Sequence, residues 1–228
     1  MAFNIVIPLF PGVTQLDFSG PAQMFAQVPD ATICVVSESG ASIKTDSGFS
    51  IVPGHDFDNC PQADLICIPG GPGVFAAINN RALVSFVDRQ CETAQYLTSV
   101  CTGAFILGAA GRLQGKRATT HWGYTSALKV CGAEFTPGRI VTDGNLITAG
   151  GVTSGIDFSL AVIARIWGET LAKAIQLRME YNPAPPFAGG HPGASEPAIL
   201  AQVQPFYDKA LARVLAALQE QERAGRPE

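Results

Sequence analysis

A parallel β-sheet covered on both faces by helices is predicted by three observations. Short, near-continuous apolar runs alternate along the chain with helix-length segments, the pattern of strands buried on both sides. Several of those runs end in glycine, proline or other small residues, as strands do where they reach the rim of such a sheet. Two β-rich runs around Asp143-Gly144 add an antiparallel hairpin.

Phe3 to Ile7 is apolar and β-rich, the first strand. Leu16-Asp17-Phe18-Ser19-Gly20-Pro21 opens a helix to about Gln27, with Pro21 placed in the first turn, where its missing N–H is not needed. Ala31 to Val36 is a second buried strand, and Ile43 to Val52 reads as a polar-tipped hairpin around Asp46-Ser47-Gly48. Asp64 to Ile68 is a core strand ending in Pro69-Gly70-Gly71-Pro72-Gly73. A helix from about Arg81 to Ala94 leads into the run Tyr96 to Val100, which ends at Cys101 before the small residues Thr102-Gly103-Ala104 open an apolar helix. His121 to Val130 reads as helical, and the hairpin Arg139 to Thr148 follows. A small-residue turn, Thr148 to Gly155, feeds a helix from Ile156 to Trp167, and a second runs from about Glu169 to Met179. Pro183 to Pro197 is a Pro/Gly-rich loop, and Ala198 to Arg223 is an amphipathic helix that frays after Gly225. Residues 1–182 therefore read as the α/β domain, with 183–228 packing back on it.

The 228 residues, 47% hydrophobic and 15% charged, suit one domain with a sizeable core. A net charge of -4 argues against a nucleic-acid surface. No signal-peptide pattern precedes the first strand, which is too short to span a membrane. Six scattered cysteines point to reduced thiols in a cytoplasm. With no C-x-x-C, no H-E-x-x-H and histidines only at 55, 121 and 191, no metal site is expected.

Cys101 is the leading candidate for chemistry. A strand turning sharply into a helix is the geometry of the nucleophile elbow. There the first amides of the helix would face the sulfur and lower its pKa. The competing reading is a buried core cysteine. Asp17 is either the N-cap of the first helix or an acid at the same sheet edge, kept protonated by a neighbouring thiolate. Thr102 is either a helix-start hydroxyl or a donor beside the sulfur. Gly70-Gly71 is a turn, or a loop whose amides approach a ligand closely. His121 is a core or cap-region histidine, or a partner for Cys101. His55 and His191 read as solvated, Cys34 and Cys67 as core, and Cys60, Cys91 and Cys131 as unactivated. Arg112 and Arg117 read as solvated charges.

With these residues placed, the chain resembles the DJ-1/PfpI superfamily over nearly its whole length. The resemblance rests on Pro8-Leu9-Phe10-Pro11-Gly12-Val13 with Asp17, on Ile68-Pro69-Gly70-Gly71, and on Ser99-Val100-Cys101-Thr102-Gly103-Ala104. It extends to Ala118-Thr119-Thr120-His121-Trp122 and to Ile147 through Asp157. Within the superfamily it is most similar to the bacterial isonitrile (isocyanide) hydratase family. That resemblance implies a flavodoxin-like three-layer α/β/α sandwich and a homodimer. It also implies hydration of isocyanides to N-substituted formamides without a cofactor, on a small-molecule substrate, with Cys101 as nucleophile assisted by Asp17 and Thr102. Thr102 stands where peptidase-like members carry histidine, and Asp17 where DJ-1-like members carry glutamate. His191-Pro192-Gly193 lacks the His-x-Glu pair of glutamine amidotransferases. The alternatives are a DJ-1-type hydrolase or glyoxalase acting on reactive aldehydes, and a non-enzymatic oxidation-sensing protein in which Cys101 forms a sulfenic acid.

Overall fold

The structure, a computed structural model, describes residues 2–224. β1 (Phe3–Pro8) is followed by α1 (Gln15–Phe25) and β2 (Ala31–Ser37). The short pair β3 (Ile43–Lys44) and β4 (Ser50–Ile51) forms the expected hairpin, and β5 (His55–Asp56) adds an edge that the sequence pattern did not reveal. Next come β6 (Leu65–Ile68), α2 (Val74–Ile78), α3 (Arg81–Thr93), β7 (Tyr96–Val100) and α4 (Ala104–Ala109). β8 (Arg117–Ala118) and β9 (Glu134–Phe135) bracket a 3-10 helix over Trp122–Lys129. The hairpin β10 (Ile140–Asp143) and β11 (Leu146–Ala149) leads to α5 (Ser154–Trp167), α6 (Glu169–Arg178) and α7 (Pro197–Ala224).

Seven strands form one sheet in the order β10-β11-β7-β6-β1-β2-β5, parallel throughout except where β10 runs antiparallel to β11. β6 is buried at all four positions, which is why its sequence shows no alternation. Helices α1, α5 and α6 pack together, as do α2, α3, α4 and α7, giving a three-layer α/β/α sandwich. In the first group Phe25 meets Phe158 edge to face at 6.2 Å. In the second, Asn80 caps α3 by accepting the Leu83 amide at 3.1 Å.

Helix α1 departs from the sequence reading in two ways. It begins at Gln15, so Pro21 lies in its interior rather than its first turn. A mid-helix proline costs a hydrogen bond to the carbonyl four residues back. Here the buried ring packs against α5, where a Cβ on Gly155 would sit only 3.1 Å from Pro21 Cγ. The N-cap is Thr14, and the capping groups come from the β3–β4 hairpin. Asp46 accepts the Thr14 hydroxyl at 2.7 Å and the Gln15 amide at 3.1 Å. A carboxylate from a distant turn thus satisfies the positive end of the helix. Asp17 stands in the first turn with its side chain free for another task.

Arg112 is also corrected. Its guanidinium donates to Asp88 Oδ1 at 2.7 Å and to the Asp88 carbonyl at 2.9 Å, tying α3 to the connection after α4.

Candidate active site

β1, β6 and β7 are adjacent and parallel, so the residues that follow their carboxyl ends share one rim. Asp17, the Gly70-Gly71 loop and Cys101 meet there, as the alternation of elements predicts.

At Cys101 the chain turns with φ +56. Only Asp30 and Glu180 share a positive φ among the described non-glycine residues, and both are exposed, whereas Cys101 is 6% exposed. A left-handed side-chain-bearing residue costs about 1–3 kcal/mol and persists where its surroundings over-determine it. Here the Cys101 amide donates to the Gly150 carbonyl at 2.8 Å, and the Thr120 hydroxyl donates to the Cys101 carbonyl at 2.7 Å. Both backbone polar groups are pinned, and the sulfur is held at the corner of a strained elbow.

Asp17 is fully buried. Its Oδ2 accepts the Gly70 amide at 3.0 Å, while Oδ1 has no conventional partner among the described residues. The Cys101 thiol lies close enough for the two groups to shift one another's ionisation. Burial pushes the Asp17 carboxyl from 3.8 up to about 7; the Gly70 amide and Cys101 oppose the rise, and Asp46 adds to it. Burial pushes the Cys101 thiol well up too, and the Asp17 charge adds to the rise, outweighing the Thr102 and Val152 amides that point at the sulfur. This corrects the expectation of a low-pKa thiolate. The helix behind the elbow, α4, is only six residues long, and two amides do not offset removal from water. The pair therefore carries at least one shared proton through neutral pH, and its first ionisation belongs to both groups.

The Gly70-Gly71 loop is clamped to the elbow. Thr102 Oγ1 accepts the Gly71 amide at 3.0 Å, so the threonine hydroxyl holds the loop while its own amide faces the sulfur. A Cβ at Gly70 would lie 2.5 Å from both the Thr102 nitrogen and Oγ1. Gly70→Ala is expected to force the loop off the elbow at a cost of about 1–3 kcal/mol. A urea midpoint equal to that of the parent would contradict this close packing.

His121 does not serve as a base for Cys101 in this arrangement. Its Nδ1 accepts the Gly123 amide at 3.1 Å, and burial lowers its pKa to about 4, so the ring is neutral at pH 7. It is wedged beside Gly151, where a Cβ would approach its Cδ2 to 2.5 Å. Tyr207, from α7, stacks on it at 4.7 Å. Tyr124 completes this aromatic wall. The charge of Cys101 helps to raise both phenols, after burial, so both lie within its electrostatic reach. The Val152 amide, Tyr124 and Tyr207 escaped the sequence reading, because no local pattern marks a residue that reaches a site only through tertiary packing.

A cavity of about 830 Å³ adjoins the elbow. Cys101 and Asp17 are not in its lining, but Thr120, Gly150 and Val152 are, and these contact Cys101 through hydrogen bonds. Cavity and nucleophile candidate share one wall. His191, exposed on the 183–196 loop, faces the same cavity. Cys34, Cys67 and Cys91 are buried, Cys67 within electrostatic reach of Asp17, and His55 is half-buried against Asn59. No group of three or more His, Cys, Asp or Glu side chains among the described residues could hold a metal ion.

Residues 4–165 match the DJ-1/PfpI family. Isonitrile hydratase from Pseudomonas putida is 44% identical over 200 residues, covering 88% of each chain. A solved ThiJ/PfpI family protein from Pseudomonas syringae superposes with a TM-score of 0.93 at 35% identity, over 96% of this chain and 91% of its own. Drosophila melanogaster DJ-1beta shares the fold, with a TM-score of 0.70 at 19% identity over 79% of this chain and 98% of its own.

Proposed function

This chain belongs to the DJ-1/PfpI family, and we propose from that premise that it hydrates isocyanides to N-substituted formamides through a thioimidate on Cys101. The observation that carries the reading is the buried Cys101–Asp17 pair at the strained elbow, in a chain 44% identical to an isonitrile hydratase.

The proton inventory of the pair suits this reaction. An isocyanide presents an electrophilic terminal carbon, and addition of a thiol puts sulfur and hydrogen on that same carbon. Asp17, with a pKa of about 7, is strong enough as a base to take the Cys101 proton as the sulfur attacks. It is also acidic enough to hand that proton to the carbon. A catalytic group works best with its pKa near the operating pH. The S–C bond forms, one C–N π bond breaks, and Asp17 returns to the carboxylate. It then accepts a proton from water as the oxygen adds to the thioimidate carbon. Asp17 passes that proton to the nitrogen, the S–C bond breaks, and the sulfur takes the remaining hydroxyl proton as the formamide leaves. Two modest barriers replace one high one. In this scheme Thr102 is a positioning residue whose amide faces the sulfur and whose hydroxyl holds the Gly70-Gly71 loop. His121 lines the substrate side as a neutral ring.

The test is direct: purified protein incubated with n-butyl isocyanide should release N-butylformamide, and release no faster than in buffer would reject the reading. The rate should also follow the shared ionisation. Since the pair must lose one proton to act, kcat/KM should rise with pH to half its plateau near pH 7. A profile flat from pH 5 to 8 would remove Asp17 from the proton path.

No cofactor is needed for any of these steps, and the net charge of -4 favours a small-molecule partner over nucleic acid. Six unpaired cysteines support a cytoplasmic setting; recovery in a periplasmic fraction would exclude it. Family membership supports a homodimer, for which light scattering should give about twice the chain mass of 23.9 kDa, and a monomer at micromolar concentration would reject it. An oxidation sensor would need a thiolate at rest, and the raised Cys101 thiol speaks against that alternative.

A further inference from the structure

Asp17 serves the carbon of the isocyanide, which leaves the nitrogen of the thioimidate to be stabilised. His121 accepts the Gly123 amide at Nδ1, so its neutral ring carries its proton on Nε2 and is itself a donor in the cavity lining. The aromatic wall packed on it offers further donors. Neither the Tyr124 nor the Tyr207 hydroxyl appears in any hydrogen bond among the described residues, whereas Tyr181 donates to Asp157 at 2.6 Å. Burial and the nearby sulfur keep both phenols protonated. Tyr124 follows the Thr120-His121 corner, and its ring meets Phe105 of α4 at 6.3 Å, immediately behind the elbow.

Tyr207 comes from outside the segment matched to the family, residues 4–165. Helix α7 packs on α2, α4 and the 3-10 helix. This lays the Tyr207 ring on His121 at 4.7 Å, against Trp122 at 4.6 Å and across Tyr124 at 5.8 Å. Position 123 is shaped to receive it, because a Cβ on Gly123 would lie 2.7 Å from the Tyr207 ring. A half-buried phenol is thus locked by its ring against His121, a residue of the cavity lining, within electrostatic reach of the sulfur.

We propose that Tyr207, with Tyr124 beside it, is a further catalytic residue whose phenolic O–H donates a hydrogen bond to the nitrogen of the thioimidate. This rests on the hydration reading. Once sulfur has bonded to the carbon and the carbon has taken the thiol proton, the nitrogen carries a basic lone pair. A hydrogen bond there polarises the C=N bond toward attack by water. The phenol keeps its own proton, and the N–H of the formamide comes from the added water. The role is that of a pre-positioned donor at a site of developing charge.

Tyr207→Phe keeps the ring and its stacking and removes only the hydroxyl. With n-butyl isocyanide, kcat should fall about tenfold to a hundredfold, and Tyr124→Phe in the same background should lower it further. Alkylation of Cys101 by iodoacetamide should stay within about twofold of the parent. Water addition being the slowed step, mass spectrometry should find a larger fraction of Cys101 carrying the mass of the isocyanide during turnover. If the parent makes formamide and Tyr207→Phe matches its kcat, this proposal fails while the hydration reading stands. A parallel loss of alkylation and turnover, without adduct accumulation, would make Tyr207 a structural residue and overturn the catalytic role. No formamide from the parent would overturn the hydration reading, and this one with it.

Discussion

Cys101→Ala is expected to give a folded protein that makes formamide no faster than the uncatalysed reaction, a loss of at least about 10⁴-fold. No other thiol can replace it. Cys34 and Cys67 lie within the sheet and Cys91 in α3, all buried, and burial pushes the Cys67 and Cys91 thiols up to about 12. Cys34→Ala and Cys91→Ala should therefore keep most of the activity while losing some stability. Alanine at 101 retains the left-handed strain, so thermal unfolding should shift little. Cys101→Gly removes the strain and should melt higher than Cys101→Ala by the equivalent of about 1 kcal/mol. Formamide measured by chromatography and melting followed by circular dichroism check both halves. Turnover by Cys101→Ala would end the nucleophile assignment.

Asp17→Asn should lose activity and gain stability. The amide can still accept the Gly70 N–H through its oxygen, but it cannot take the Cys101 proton, so turnover should fall by about 10²–10⁴-fold. The stability effect follows from the sign of the shift. An acid whose pKa is raised on folding, here from 3.8 to about 7, contributes stability that is fully present below the unfolded value and is lost as pH rises through the folded one. At pH 4 parent and variant should unfold at similar denaturant concentrations. Above pH 7 the variant should be the more stable, by on the order of 2–4 kcal/mol. Urea titrations at the two pH values decide it. A variant as active as the parent would reduce Asp17 to a structural residue, and one less stable than the parent at pH 8 would show that the buried carboxylate is better compensated than its surroundings indicate.

What could be read from the sequence was whatever depends on neighbours along the chain. The elbow at Cys101 was visible because an apolar run, a cysteine and three small residues occur in succession, and the rim assignment followed from strand–helix alternation. The sequence marks Asp17 as a candidate but not its freedom from capping duty, because the true cap is reached by folding a distant hairpin onto the helix. The raised thiol is hidden from the sequence for a related reason. Amides at a helix start are local and favour a thiolate, whereas the loss of solvent around Cys101 comes from the whole sandwich. A rule of local propensity places Pro21 in the first turn, and the structure overrides it through contact with Gly155. The C-terminal helix was evident from its amphipathic pattern, yet nothing in that pattern singles out Tyr207.

The hairpin carboxylate that caps α1 has a consequence beyond holding a helix end. Asp46 is exposed, while the Asp17 carboxyl it repels is buried. Through Asp46 the solvent reaches a proton that it cannot touch. Dissolved salt screens an exposed charge, so higher ionic strength should let Asp17 ionise at lower pH and move the active range toward acid. Natural drift or deliberate change at this one surface position could retune the working pH of the reaction while leaving every atom that meets the substrate as it is.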